Sequence, residues 1–203
     1  FDIYNNDNGS GSSGGTIGTD ATINVDVANI SSGPEPDSNA LVVQIDNRGG
    51  SIGGSASVNL SASGAVNAQG NAILQILNFD DGGSGPGTIG GDAMINFAVS
   101  GDITVLTAAN FQILNSAGTI GSDATINLTA ANITANSFNP LIQNASGGTI
   151  GSDATITVNA ANIFPVVNLS SYVAHHDHAT IGGKDLLSLN ISGDLHSQRS
   201  ADF

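Results

Sequence analysis

A chain of 203 residues with 17 acidic and 3 basic side chains carries a formal charge of −14, which excludes recognition of nucleic-acid phosphates or anionic membranes as its organising chemistry. Aromatic residues make up 4%, charged residues only 10%, and Trp and Cys are absent, so composition predicts an interior of stacked Ile, Val, Leu and Ala, no disulfides, and a surface of Gly, Ser, Thr and Asn. No segment approaches the ~18–20 apolar residues of a membrane span, and membrane insertion is not expected.

In chain order, Phe1-Asp2-Ile3-Tyr4-Asn5 reads like Phe111-Gln112-Ile113-Leu114-Asn115 much further along. A Gly/Ser-rich turn follows and leads into Thr16-Ile17-Gly18, which returns as Ser51-Ile52-Gly53, Thr88-Ile89-Gly90, Thr119-Ile120-Gly121, Thr149-Ile150-Gly151 and Thr180-Ile181-Gly182. The isoleucines are 35, 37, 31, 30 and 31 residues apart. A nearly fixed period of this length marks a repeat architecture in which each unit packs mainly on its neighbours.

After each Ile-Gly pair comes an alternating block: Asp20 to Val25, Ser55 to Leu60, Asp92 to Phe97, Asp123 to Leu128, Asp153 to Val158 and, without the acidic start, Lys184 to Leu189. Alternation with β-branched residues predicts a half-buried strand whose Ile23, Val25 and equivalents face inward. Corners at Asn29, Gly64, Gly101, Asn132, Asn162 and Gly193 are residue types that tolerate left-handed backbone. The Gly corners carry one more residue than the Asn corners, which reads as a bulge.

A short second strand follows, as in Ile103-Thr104-Val105, and then a third with a central amide: Val43-Gln44-Ile45, Leu74-Gln75-Ile76, Phe111-Gln112-Ile113, Ile142-Gln143-Asn144 and, more loosely, Val167-Asn168-Leu169. Insertions at Ser31 to Ala40, Phe79 to Gly87 and Ser171 to Ala179 read as surface loops. Three strands and three turns in each period describe an all-β, three-sided parallel β-helix with coils of about 30–37 residues, one domain over 1–203. A β-sandwich with internal duplication is the competing fold. The strand-like start and the loss of pattern after Leu195 make the expected molecule a segment of a longer array.

The block Gly-Thr-Ile-Gly-Ser-Asp-Ala-Thr-Ile-Asn-Leu at Gly118 to Leu128, with close copies from Gly15, Gly87 and Gly148, resembles the repeats of secreted bacterial β-helix proteins, the filamentous-haemagglutinin-like exoproteins and autotransporter-like β-strand-repeat passengers. The resemblance implies an extracellular or cell-surface location and a structural role as stalk or adhesin passenger. Partners expected on this reading are other copies of the chain, associating end to end, or the rest of a longer chain, with surface glycans as a further class.

Candidate chemistry is sparse. Asp92, Asp123 and Asp153 fall in adjacent repeats. Stacked about 4.8 Å apart, each pair would repel by roughly 1 kcal/mol in water and several-fold more near a protein surface, which a Ca²⁺ ion would relieve. The competing account has each Asp accepting backbone N–H groups of its own turn. His176 and His178, in the run His175-His176-Asp177-His178, would project to one side of an extended segment at a spacing that suits a transition metal such as Zn²⁺; an exposed polar loop is the plainer reading. Thr16, Thr88, Thr119, Thr149 and Thr180 with Ser51 form a hydroxyl column, and Thr22, Thr125 and Thr155 a second that Met94 and Leu186 interrupt, so ice binding is a minor alternative. A carbohydrate-binding or carbohydrate-cleaving β-helix is the main one. Its chemistry needs a base or paired carboxylates; Arg48, Lys184 and Arg199 are far apart, and Asp80 and Asp81 would point to opposite sides of a strand, so no enzyme is expected.

Overall fold

A computed structural model describes residues 1–5, 14–32, 39–80, 85–197 and 200–202. Every ladder between its strands is parallel, no helix occurs among the described residues, and equivalent segments of successive repeats pair in order. The fold is a parallel β-helix of about five turns, and the antiparallel pairing of a duplicated sandwich is absent from those ladders.

The first face stacks Ala21–Val27, Ala56–Ala62 and Ala93–Val99, then residues 124–130 and 154–160, and last Asp185–Ile191. Its columns follow the Ile-Gly alignment without a slip: Ile23, Val58, Ile95, Ile126, Ile156 and Leu187 stand in line. Alternate side chains turn inward because successive residues of a strand face opposite ways. The extra corner residue of the Gly form is seen in the register, where Val27 and Ile30 stand below Ala62 and Val66. The corners themselves are not left-handed. Positive φ occurs instead at Gly49, Gly85, Ala117, Ser146, Gly147, Asp177 and His178, all ahead of a Thr-Ile or Ser-Ile pair. Glycine serves the first corner by being small, since a Cβ on Gly64 or Gly193 would overlap the side-chain oxygen of Asn29 or Asn162 one coil below.

The Thr-Ile pairs are strands in their own right. They form a six-stranded ladder from Thr16–Ile17 to Thr180–Ile181, with Ile52, Ile89, Ile120 and Ile150 completely buried. The glycine that follows is demanded by backbone approach. At Gly53, Gly90, Gly121, Gly151 and Gly182 an added Cβ would overlap the carbonyl of the equivalent glycine in the coil below.

On the third face, Asp2–Tyr4 lies below the strand Asn39–Asp46, as the likeness of Phe1–Asn5 to Phe111–Asn115 predicts. Gln44, Gln75 and Gln112 then share a column, but the next members are Leu141 and Tyr172, while Gln143 stands over Leu114. The slip arises at register shifts between Val105 and Ala108 and between Ala135 and Ser137, which counting from the Ile-Gly pair does not reveal. Asn168 likewise pairs with Ser137, and Tyr172–His175, inside the expected loop 171–179, is the strand of the third face. Ser200–Asp202 pairs with residues 168–170 where the sequence pattern had been lost. Much of the insertions at 31–40 and 79–87, and Asp81 and Arg199, lie outside the described residues.

The interior is not purely aliphatic. Phe97, Phe111 and Phe138 are fully buried and stack through the core, with ring centroids 5.2 and 6.0 Å apart. Ala109 and Ala72 stand in the column of Phe138, so small neighbours make room for the large ring.

Candidate functional site

The strongest concentration of polar chemistry is a column that the expected site residues do not include. Asn5, Asn47, Asn78, Asn115 and Asn144 occupy the inner side of the corner that precedes the Thr-Ile strands, and all five are buried. Each amide nitrogen donates upward to the next side-chain oxygen: Asn5 to Asn47 at 2.7 Å, Asn47 to Asn78 at 2.8 Å, Asn78 to Asn115 at 2.7 Å and Asn115 to Asn144 at 2.8 Å. The same nitrogens donate to the carbonyls of Ser51, Thr88, Thr119, Thr149 and Thr180. A carbonyl can only accept, so those contacts fix which end of each amide points upward. The signal for this column was present in the sequence as Ile-x-Asn at 3–5, 45–47, 76–78, 113–115 and 142–144. Alignment on that motif also places Gln143 correctly.

A second amide ladder runs on the outside of the first face, as the alternation predicts. Asn59 donates to Asn24 at 2.9 Å, Asn96 to Asn59 at 2.8 Å and Asn127 to Asn96 at 3.0 Å. Its direction is opposite to that of the buried ladder. Beside it lies a shallow trough lined by Asn24, Asp26, Asn59, Ser61, Asn96 and Ala98.

The acidic column is bound up in the same coil-to-coil bonding. The backbone N–H of Asp123 donates to Asp92 Oδ1 at 3.2 Å, that of Asp153 to Asp123 Oδ1 at 3.0 Å, and that of Lys184 to Asp153 Oδ1 at 2.8 Å. Asp20 accepts in the same way from Ser55. The donors thus belong to the coil above, not to the carboxylate's own turn. One oxygen of each of these Asp residues is occupied by a backbone donor, and among the described residues no three acidic or His side chains converge as a metal site.

His176 and His178 are not side by side on an extended segment, because Asp177 and His178 take φ of 56° and 65° and turn the chain. The His176 ring is held on both sides, Nδ1 lying 2.7 Å from Asp177 Oδ2 and Nε2 lying 2.9 Å from Gln143 Nε2. His175 is drawn elsewhere, to Asp185 at 3.2 Å. The basic side chains are equally dispersed: Arg48 grips the buried Asp46 through Nε and Nη2, and Lys184 is exposed at the far end of the acidic column.

No family model, no curated protein and no solved structure matches the chain. Among the described residues no helix is long and apolar enough to cross a membrane.

Proposed function

We propose that this chain is a structural solenoid displayed outside the cell, an elongated stalk or adhesin passenger whose business is to hold a shape. The observation that carries this reading is where the polar side chains are spent. Asn, Asp and Ser groups that could converge on a substrate bond instead to the same position one coil away, in the buried amide ladder, the outer amide ladder and the acidic column alike. Such bonding specifies register and stiffness along the axis, and amides and hydroxyls such as Thr22, Asn24, Asn59, Asn96, Thr125 and Asn127 line the outside of the first face. A rod of this kind grows by about 4.8 Å per coil, so length is gained with little sequence. A formal charge of −14 opposes side-by-side packing of such rods.

End-to-end association of copies belongs to the same reading, and surface glycans are its second class of partner, with the trough beside Asn24, Asn59 and Asn96 as the place to look. Localisation tests the proposal directly. Antibodies raised against the folded chain should label the outside of intact source cells or the culture medium; labelling confined to the cytoplasm would overturn it.

A further inference from the structure

On the outside of the rod, columns of like residues bond to themselves, as the outer amide ladder and the acidic column do. One stretch of the third face breaks that habit. Its outward column reads Asp46, Leu77, Leu114, Gln143 and Ala174, and the column beside it reads Phe79, Ser116 and Ala145. Large and small side chains stand side by side there, and the small Ser116 and Ala145 next to Phe79 and Gln143 leave a recess of about 300 Å³. Phe79, Leu114, Ser116, Gln143, Ser146 and His176 line it.

The polar groups of this recess are not spent on the coil-to-coil ladders. Among the described residues neither the hydroxyl of Ser116 nor that of Ser146 has a hydrogen-bond partner, and Gln143 uses only one end of its amide, on His176 Nε2 at 2.9 Å. The imidazole is held from behind by Asp177 Oδ2, 2.7 Å from Nδ1. The turn that carries it is tied to the coil below, where the N–H of Gly147 donates to the Asp177 carbonyl at 2.8 Å. Ser146 stands at a φ of 53° beside Gly147, a left-handed conformation that glycine adopts at less cost, so a hydroxyl is carried there against the local backbone preference.

The lining selects among ligands. No Lys or Arg borders the recess, Asp177 stands behind His176 and the chain carries a formal charge of −14, so phosphates, carboxylates and acidic sugars find no counter-charge. A hydrocarbon would strip water from the amide, the imidazole and the hydroxyls without replacing its hydrogen bonds. A sugar ring meets both requirements, with C–H groups to lie on Phe79 and Leu114 and hydroxyls that donate and accept toward Gln143, Ser116, Ser146 and His176. A volume of about 300 Å³ is at the small end of ligand clefts and suits one ring, not a chain of them. We infer that this recess is a binding site for a single neutral pyranose ring, the terminal sugar of a glycan. It lies on the third face, apart from the trough of the first. It rests on the reading of glycans as a partner class, and it is independent of where the protein is displayed.

Titration of the isotope-labelled chain with the methyl glycosides of glucose, galactose, mannose and N-acetylglucosamine, followed by NMR, tests it. At least one should move the backbone amide signals of 114–117, 143–147 and 176 with a Kd of about 1 mM, the affinity that ordinary ligand efficiency gives a molecule of this size. Glucuronic acid should bind about tenfold more weakly. Gln143→Ala and Phe79→Ala should each weaken binding about tenfold, the loss expected of one good contact. Gln143 faces outward, so its variant should keep the parent circular dichroism spectrum and serves even where Phe79→Ala does not fold. Ala98→Phe fills the first-face trough and should leave binding unchanged. The inference is overturned if none of the four glycosides moves these signals, if glucuronic acid binds as well as they do, or if Ala98→Phe abolishes binding that Gln143→Ala spares. Sugar binding by the purified chain together with cytoplasmic labelling of cells would remove the displayed-stalk proposal alone; external labelling without sugar binding would remove this one alone.

Discussion

Replacing Asn115 by Ala should cost far more than any substitution on the outside of the same coil. Asn115 is 1% exposed. Its amide nitrogen donates to Asn144 Oδ1 at 2.8 Å and to the carbonyls of Gly118 and Thr149 at 3.1 Å each, and its oxygen accepts from Asn78 at 2.7 Å. Removal strips the donor from two buried acceptors, Asn144 Oδ1 and Thr149 O, while Asn78 keeps its bond to Thr119 O and Gly118 O keeps the N–H of Thr149. An orphaned buried polar group costs about 1–3 kcal/mol, so the two acceptors together imply a loss of roughly 4 kcal/mol. Asn127→Ala is the control: it removes one bond of 3.0 Å on a half-buried position, worth about 1 kcal/mol. Asn115→Asp should be worse than Ala at neutral pH, because a carboxylate oxygen would then face three oxygen acceptors. Denaturant melts followed by circular dichroism measure the difference. Hydrogen exchange over 109–121 and 138–151 shows whether the damage is local, since solenoid coils open in a neighbour-dependent way. If Asn115→Ala and Asn127→Ala proved equally mild, the buried ladder would not be a source of stability and the reasoning would fail.

Three further outcomes follow from the geometry. Gly121→Ala should destabilise by about 1–3 kcal/mol through overlap with Gly90 O, whereas Gly18→Ala should be close to neutral; equal melting temperatures for the two would contradict the backbone-approach account. Phe111→Ala removes a fully buried ring that touches both Phe97 and Phe138 and should cost about 3–5 kcal/mol in denaturant titration, a value near zero being incompatible with a packed aromatic interior. In the acidic column, Asp123→Asn keeps an acceptor for the Asp153 N–H and should melt like the parent, while Asp123→Ala loses about 1 kcal/mol; a drop in parent melting temperature on chelation that Asp123→Ala abolishes would instead assign Ca²⁺ to Asp92, Asp123 and Asp153.

Repetition made the fold legible because a stacked coil writes each spatial column into the sequence at a fixed interval. The Ile-Gly pair and the alternation after it were enough to place the first face residue by residue, including the outer ladder from Asn24 to Asn127 and the additional residue at the Gly corners. Legibility failed after the second strand. There, register shifts near Val105 and Ala135 break the count, so counting from the Ile-Gly pair puts Gln143 in a column it does not join and reads Tyr172–His175 as loop. The buried amide column was missed for a different reason. Asn near a turn is ordinary, and only the recurrence of Ile-x-Asn distinguishes an inward amide from an outward one.

The sequence by itself therefore determined the period, the parallel stacking and the inward face of the first strand, since these depend on residue type and spacing alone. Tertiary structure decided what spacing cannot carry. It decided that the Thr-Ile-Gly glycine answers to a carbonyl in the coil below and not to a bend of its own, and that each Asp of the acidic column gives one oxygen to a backbone N–H of the coil above. It also decided that Phe97, Phe111 and Phe138 meet across the core. These are contacts between residues 14 to 37 positions apart, and distances of that kind exist only once the coils have closed.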